Sequence, residues 1–574
     1  MNAISKSAPD TIAIKKGLKT SKSQVPYLPF QGRIIRHINV KRYGFEISFA
    51  DTTRRIMYFG TQLLNRIHED TKEWQVRNEL FIKENTPLNP YMLAENERYL
   101  RSLDYIQDAR ILVNSIPGNT DSVDVVVITK DLFSLSGEIN DLSTNKIEAM
   151  VSDANVLGMG QRVQFTGLYE KERHPKFAYE VLYSKNNIKN SFITGTIAYS
   201  KINNNLNGDA TDEHGFYLRL DRPLYSQFAH FAGGLTVGTN QSSNDYLKPD
   251  SFFYKYRYNV FDGWLGYNFR VHKFLHNPKL KDHQFISLRY FKNNFTQVPF
   301  QIGNGYNQLY NDREALLGSV TFFRQDFYKT NYIYGFGTTE DVPYGYNIAV
   351  TGGWYKQLHL SRPYFGLDAN RYLVNSNGDF YQYFIRAGGF LNEKKMEDAG
   401  LLLGVSVFSR LIQFNTLKLR QYVRLNYTRQ FNRTTFDPLK INNPFGLRYF
   451  DPDSVYGSRR ISLHSETFFF LKYKLFGFQF APFTFADISF LTPEKASFLK
   501  SDVYTGIGGG IRTRNENLIF GTMELRGIYF PRQKNNFEHF KIMFTANLQF
   551  RYNTSYVRPP DIVQLNSDYS NNIY

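Results

Sequence analysis

From about residue 131 onward the chain alternates apolar and polar side chains with a period of two, almost to its end. In "LKLRQYVRLNY", Leu417, Leu419, Val423, Leu425 and Tyr427 share one face while Lys418, Arg420, Arg424 and Asn426 share the other. Period two is the spacing of a β-strand, whose successive side chains point to opposite faces. The division recurs in "QRVQFTGLY", with Val163, Phe165 and Tyr169 opposite Arg162, Gln164 and Thr166, and in "HGFYLRLD", with Phe216, Leu218 and Leu220 opposite Tyr217, Arg219 and Asp221. "GTMELRGIY" sets Met523, Leu525 and Tyr529 against Thr522, Glu524 and Arg526. The last run, "KIMFTANLQFRY", sets Ile542, Phe544, Ala546, Leu548 and Phe550 against Met543, Thr545, Asn547 and Gln549.

These runs approach ten residues and many end in Tyr or Phe, whereas sandwich strands average about five or six. Long polar connections such as "NNNLNGDATDEHG" and "TNQSSNDYLKPDS" join them. Together these marks predict a mainly β protein, a transmembrane antiparallel β-barrel with one strand face toward lipid and the other toward a polar lumen. Composition agrees, since 51 Phe and 41 Tyr sit in a chain whose mean hydropathy is only -0.43. No apolar run reaches the ~18 residues of a membrane helix. The net charge of +17 is spread through the alternating runs with no basic block, so it reads as lumen and surface lining and not as a nucleic-acid site. Cysteine is absent, which removes disulfides, thiol nucleophiles and cysteine-bound zinc.

Residues 31–130 are different. "GRIIRHINV" reads as a strand and "MYFGTQLLNRIH" as a helix. "NPYMLAENERYLRSLDY" reads as a second helix, with Asn89 as N-cap, Pro90 at its first position and Leu93, Leu100 and Leu103 on one face. The strands "DARILVN" and "DSVDVVVIT" follow, giving β-α-α-β-β. Residues 1–30 form a Ser-, Lys- and Ala-rich lead-in without the apolar core of a secretory signal, so an exported chain that starts here is a mature or trimmed form. Residues 131–551 are assigned to the barrel and 552–574 to a tail, in which Pro559 and Pro560 oppose strand pairing.

Four segments resemble, in family order, the BamA/TamA-like superfamily of outer-membrane insertases and two-partner secretion transporters, the bacterial surface antigen family. "LFIKENTPLNPYMLAENERYLRSLDYIQDARILV" resembles the second half of a POTRA domain. "VSDANVLGMGQRVQFTG", with Asn155, Gly158 and Gly160, resembles the segment that closes the first barrel hairpin. "GLRYFDPDSVYGSRRISLHSETFFF" resembles the sixth extracellular loop with its following strand, and "FTFADISF" an inward-facing strand with its acidic residue. The resemblance implies one periplasmic POTRA-like domain before a barrel of about sixteen strands. Eleven strands would precede an inward-folded loop at 431–460. Five would follow it, at 460–471, 480–490, 503–513, 517–529 and 540–551.

It also implies a loop-to-wall lock in which Arg448 points toward Asp487, with Glu466 as a second partner. Gly446, Tyr449 and Phe450 would form the loop tip, and Tyr449 stands where the family carries glycine. A seam between residues 132–139 and 541–552 would carry Ser134, Ser136 and Gly137 on the first strand and Thr545, Asn547 and Gln549 on the last.

Other motifs carry no site. "GIGGGIR" lacks the Lys-Ser/Thr step and the helix of a phosphate loop. The calcium-like "NNNLNGDATDEH" ends on His214 where a bidentate Glu belongs. His272 and His276 lack a convincing helix to present them. No Gly-x-Ser-x-Gly elbow occurs. The expectation is a non-enzymatic outer-membrane assembly or insertion factor without cofactor or metal. Its partners would be unfolded outer-membrane proteins or a secreted polypeptide, together with outer-membrane lipid and accessory envelope proteins, and no nucleic acid. A secretion transporter and an accessory structural barrel are the alternatives.

Overall fold

The computed structural model describes residues 21–44, 69–142, 144–204, 206, 212–269, 271, 282–303, 307, 309–415, 417–451, 455–515, 522–533, 538–548 and 555–567. Its N-terminal module contains β1 (Ile34–Tyr43), α1 (Glu73–Asn78), α2 (Pro90–Ser102), β2 (Ile106–Ile116) and β3 (Asn119–Asp131). β3 lies in the centre of the sheet, parallel to β1 and antiparallel to β2. α2 starts where the cap signal placed it: the Asn89 side chain accepts from the backbone N–H of Tyr91 at 3.0 Å and of Met92 at 3.3 Å. Leu93 and Leu100 are then buried against Val125 and Val127 of the sheet. The expected helix "MYFGTQLLNRIH" lies outside the described residues, as do the greater part of the lead-in, His272, His276 and half of the calcium-like loop.

The long strands from Leu135–Leu142 to Phe540–Leu548 belong to one antiparallel sheet, and Leu439–Lys440 and Tyr456–Gly457 of the long loop form a separate small one. Among the described residues that sheet has 23 strands, and three of these are two-residue pieces. The other twenty run from Leu135–Leu142 to Phe540–Leu548, each beside its neighbour in sequence, with the last beside the first. Among the described residues the expected count of sixteen is therefore corrected to twenty, with fifteen strands and not eleven before the long loop. The surplus segments are full strands, and two of their hairpins lack a glycine signal. Glu340–Gln357 and Leu360–Val374 turn through Leu358 and His359, with φ of 51° and 63°. Phe380–Asn392 and Lys395–Phe408 turn through Glu393 and Lys394, with φ of 44° and 68°. These are the left-handed turns that normally call for Asn-Gly. After the loop, Arg459–Leu471, Phe478–Thr492, Asp502–Arg514, Thr522–Tyr529 and Phe540–Leu548 fall where expected.

The wall is apolar on the outside. Ile542 and Phe544 on the last strand are 66% and 65% exposed, and Leu265, Val151, Phe165 and Leu525 are exposed with them. The inside holds buried Arg386, Arg420, Arg424, Arg460, Arg512 and Arg526. A water-soluble protein has the reverse distribution, so this wall suits a lipid surround. The lumen is packed with three segments of the chain itself: the long loop between Phe431 and Arg459, residues 331–339, and the tail 555–567.

Candidate functional site

The long loop folds inward on apolar anchors. Ile441, Phe445, Leu447 and Phe450 are each fully buried. Phe450 meets Tyr504 and Phe530 edge-on, with ring centroids 5.2 and 5.4 Å apart. The guanidinium of Arg424 lies 4.7 Å and that of Arg386 5.4 Å from the ring of Phe445. Gly506 leaves the space that Leu447 fills, since a Cβ there would come within 3.2 Å of the leucine.

Arg448 does not make the expected lock. It is exposed on the lumenal side, near Tyr334, and among the described residues it forms no ion pair with Asp487 or Glu466. Both carboxylates are already engaged by wall cations, which is the physical reason. Asp487 faces inward as expected and pairs with His464 on the adjacent strand. Glu466 accepts from Arg512 at 2.9 Å, from Arg526 at 3.3 Å and from His464 at 3.2 Å. Glu524 binds Arg512 at 2.5 Å and Arg526 at 2.6 Å. The two arginines also lie over Phe468, Phe483 and Phe485 at 4.5–4.8 Å. The carboxylates thus tie the strands after the loop to one another.

The loop tip keeps a glycine-like backbone without the glycine. Tyr449 adopts φ of +64°, and its N–H donates to the Asn442 side chain at 3.0 Å. A non-glycine residue there costs about 1–2 kcal/mol, offset by packing of the ring with the loop cluster. Gly446 is required by space, because a Cβ would sit 2.1 Å from the carbonyl oxygen of Ile441. At the loop base, Asp398 accepts from the backbone N–H of Thr434, Thr435 and Phe436 at 2.7, 3.0 and 3.1 Å and pairs with Arg362 at 3.0 Å.

At the seam, Ser136 shares a 2.8 Å hydroxyl contact with Ser152 of the second strand, and Ser134 is buried just before the first. Gly137 is exposed, and Thr545 pairs with Glu524 next to a register shift. Asn547 lies in the last strand, and Gln549 lies outside the described residues. Phe540–Leu548 and Leu135–Leu142 lie side by side as hydrogen-bonded neighbours in the sheet.

The module docks on the adjoining end of the barrel. Arg101 of α2 makes a two-pronged bond to Asp341 at 2.9 and 2.7 Å. Glu97 takes Arg101, Lys329 and the Tyr27 hydroxyl. Burial opposes its charge, but Arg101 and Lys329 outweigh burial and hold its carboxyl down to about 2. Burial raises Glu79 despite hydrogen bonds from Tyr99, Asn187, Tyr105 and Gln75, and raises Glu95 despite Arg98. Residues 154–160 form the turn between the second and third barrel strands, not the closure of the first hairpin, and this turn is a docking surface. There Asn155 reaches Thr71 at 2.9 Å, and a Cβ on Gly158 would lie 2.3 Å from the Asp70 carbonyl oxygen.

The sequence reading missed the role of the tail. Tyr556 contacts Glu95 and Arg98 of α2, while Asn566 bonds Lys440 at 3.0 Å and Pro438 at 2.8 Å in the loop. The described tail therefore links the module to the long loop through the lumen. Its diproline was the sole local signal.

No family model matches the chain, and no curated protein sequence matches it. Among solved structures it is similar to BamA from Haemophilus ducreyi lacking POTRA domains 1-3, at 11% identity over 90% of this chain and 85% of that one, with a TM-score of 0.29. CdiB from Acinetobacter baumannii matches at 10% identity over 90% of this chain and 74% of that one, with a TM-score of 0.42. CdiB from Escherichia coli matches at 10% identity over 90% and 76%, with a TM-score of 0.40.

Proposed function

We propose that this chain is an outer-membrane protein-assembly factor that acts without covalent chemistry through the junction of its first and last barrel strands. Strand length supports the reading best. Of the strands at the junction, Lys146–Asp153 lies wholly within the described residues and has eight, whereas Arg313–Thr330 and Glu340–Gln357 have eighteen each. At ~3.3 Å per residue and a tilt near 45°, eight residues cover roughly 19 Å of an apolar band about 25 Å tall. A wall this short would thin the lipid beside it, and thinning lowers the cost of bringing in a chain whose backbone is still unpaired.

A client strand entering lipid leaves N–H and C=O groups unsatisfied at several kcal/mol each, and an opened junction lends it an edge. In this reading the module faces the periplasm and receives unfolded outer-membrane proteins. The test uses the absence of cysteine: a disulfide between Ser136→Cys and a register-scanned position beginning at Thr545→Cys locks the junction. Folded outer-membrane proteins should fall in cells only when the lock is oxidised. Unchanged levels under confirmed cross-linking would overturn the reading.

A second reading, passage of a polypeptide through the lumen, is favoured by the extended tail already lying there. In that case locking would spare folded barrels and reduce secretion.

A further inference from the structure

We infer that the lumen contains a binding track for an extended polypeptide, which residues 555–567 occupy in cis. The wall reads the tail mainly by its backbone. Asn347 donates to the carbonyl of Tyr556, Arg289 to that of Pro560 at 3.0 Å and Arg460 to that of Leu565 at 3.2 Å. The Tyr364 hydroxyl accepts the N–H of Val563 at 2.7 Å. These groups come from four different strands and meet donors and acceptors spaced along one chain. Main-chain bonds with pockets for alternate side chains are the mode by which grooves bind peptides.

The pockets are formed as well. Tyr556 is buried against Phe323 and Phe327, with ring centroids 5.8 and 6.0 Å away. Val563 and Leu565 join Phe384, Leu402, Leu439 and Phe445. Gly400 makes room for Leu565, since a Cβ there would lie 2.5 Å from the leucine. Charge is matched too: Arg289, held by Asp262 through two bonds of 2.8 Å, turns its remaining nitrogen to Asp561 at 3.1 Å. Arg558 lies 3.7 Å from Asp368. Pro559 and Pro560 pre-extend the segment, which lowers the entropy lost on binding.

The ligand class is therefore an extended segment with an aromatic anchor, a basic residue, a diproline, an acidic residue and alternating aliphatics. A tethered copy has an effective concentration in the mM range, so it excludes free peptide until it is released. The inference stands on the tail contacts and holds whether the chain inserts or secretes its clients.

The test is direct binding of a fluorescent peptide with the sequence of residues 555–567 to the full-length chain. The wild type should bind it poorly. The variant Tyr556→Ala/Val563→Asp/Leu565→Asp, which alters the tail and leaves the wall intact, should bind at least tenfold more tightly than wild type. Adding Arg289→Ala to that variant should weaken binding at least tenfold, and a reversed-sequence peptide should not bind. Where the triple variant does not fold, Tyr556→Ala alone should still bind more tightly than wild type. The inference is overturned if a folded tail-weakened chain binds no better than wild type, or binds the reversed peptide equally well.

Discussion

Replacing Phe450 by Ala separates an apolar anchor from an ionic lock. Phe450 is fully buried beneath Tyr504 and Phe530, which belong to the wall and remain in place when the loop leaves. Phe→Ala at such a site costs about 3–5 kcal/mol, including the cavity left behind. Because the lost contacts lie between loop and wall, the cost falls on docking. At ~1.4 kcal/mol per tenfold, the docked-to-released ratio drops by about two to three and a half powers of ten. Arg448→Ala removes an exposed side chain with no wall carboxylate to leave unpaired, so its effect should stay within about 0.5 kcal/mol.

The chain contains no cysteine, so a single Leu447→Cys, buried at the wall, can report release through its labelling by a maleimide in detergent. When opening and closing are fast, that rate follows the released population. Phe450→Ala should raise it at least a hundredfold, and Arg448→Ala by less than about threefold. Comparable acceleration by Arg448→Ala would refute the argument and restore the ionic lock.

Three further outcomes are expected. Gly446→Ala should release the loop in the same labelling assay, because its methyl would need the space 2.1 Å from the Ile441 oxygen. Glu466→Gln leaves Arg512 and Arg526 to share Glu524 and should cost about 3–5 kcal/mol, read as a lower urea midpoint for loss of compact gel migration. Glu97 is held below its ordinary value of 4.5 at about 2, so its contribution to module docking is complete above about pH 4.5 and disappears as pH falls through 2. Cross-linking of the module to the barrel should show that acid limb, and Glu97→Gln should flatten it while weakening docking at pH 7.

The strand faces were legible because period two is local. Thr522, Glu524 and Arg526 turn inward and Leu525 and Tyr529 outward, as the alternation required. The cap of α2 was legible for the same reason, since Asn89 and its acceptor bonds lie within three residues of each other. Strand number was less so: the turns at Leu358–His359 and Glu393–Lys394 use left-handed residues without glycine and carry no sequence mark. The inward position of the loop was legible from resemblance, but its means of attachment was not. Arg448 and Asp487 are chemically suited to pair, and nothing in a linear chain shows that His464 holds the aspartate.

By itself the sequence determined a lipid-facing antiparallel wall, a small αβ module ahead of it and the faces of the strands, because each depends on spacing within one segment. Only the tertiary structure decided which cation meets which carboxylate, that Phe450 and Leu447 and not Arg448 seat the loop, and that the tail joins the module to the loop. Those outcomes depend on residues hundreds of positions apart, such as Glu95 with Tyr556 and Arg289 with Asp561. Charges inside a lumen choose partners by proximity and desolvation, and proximity exists only after twenty strands have set their register.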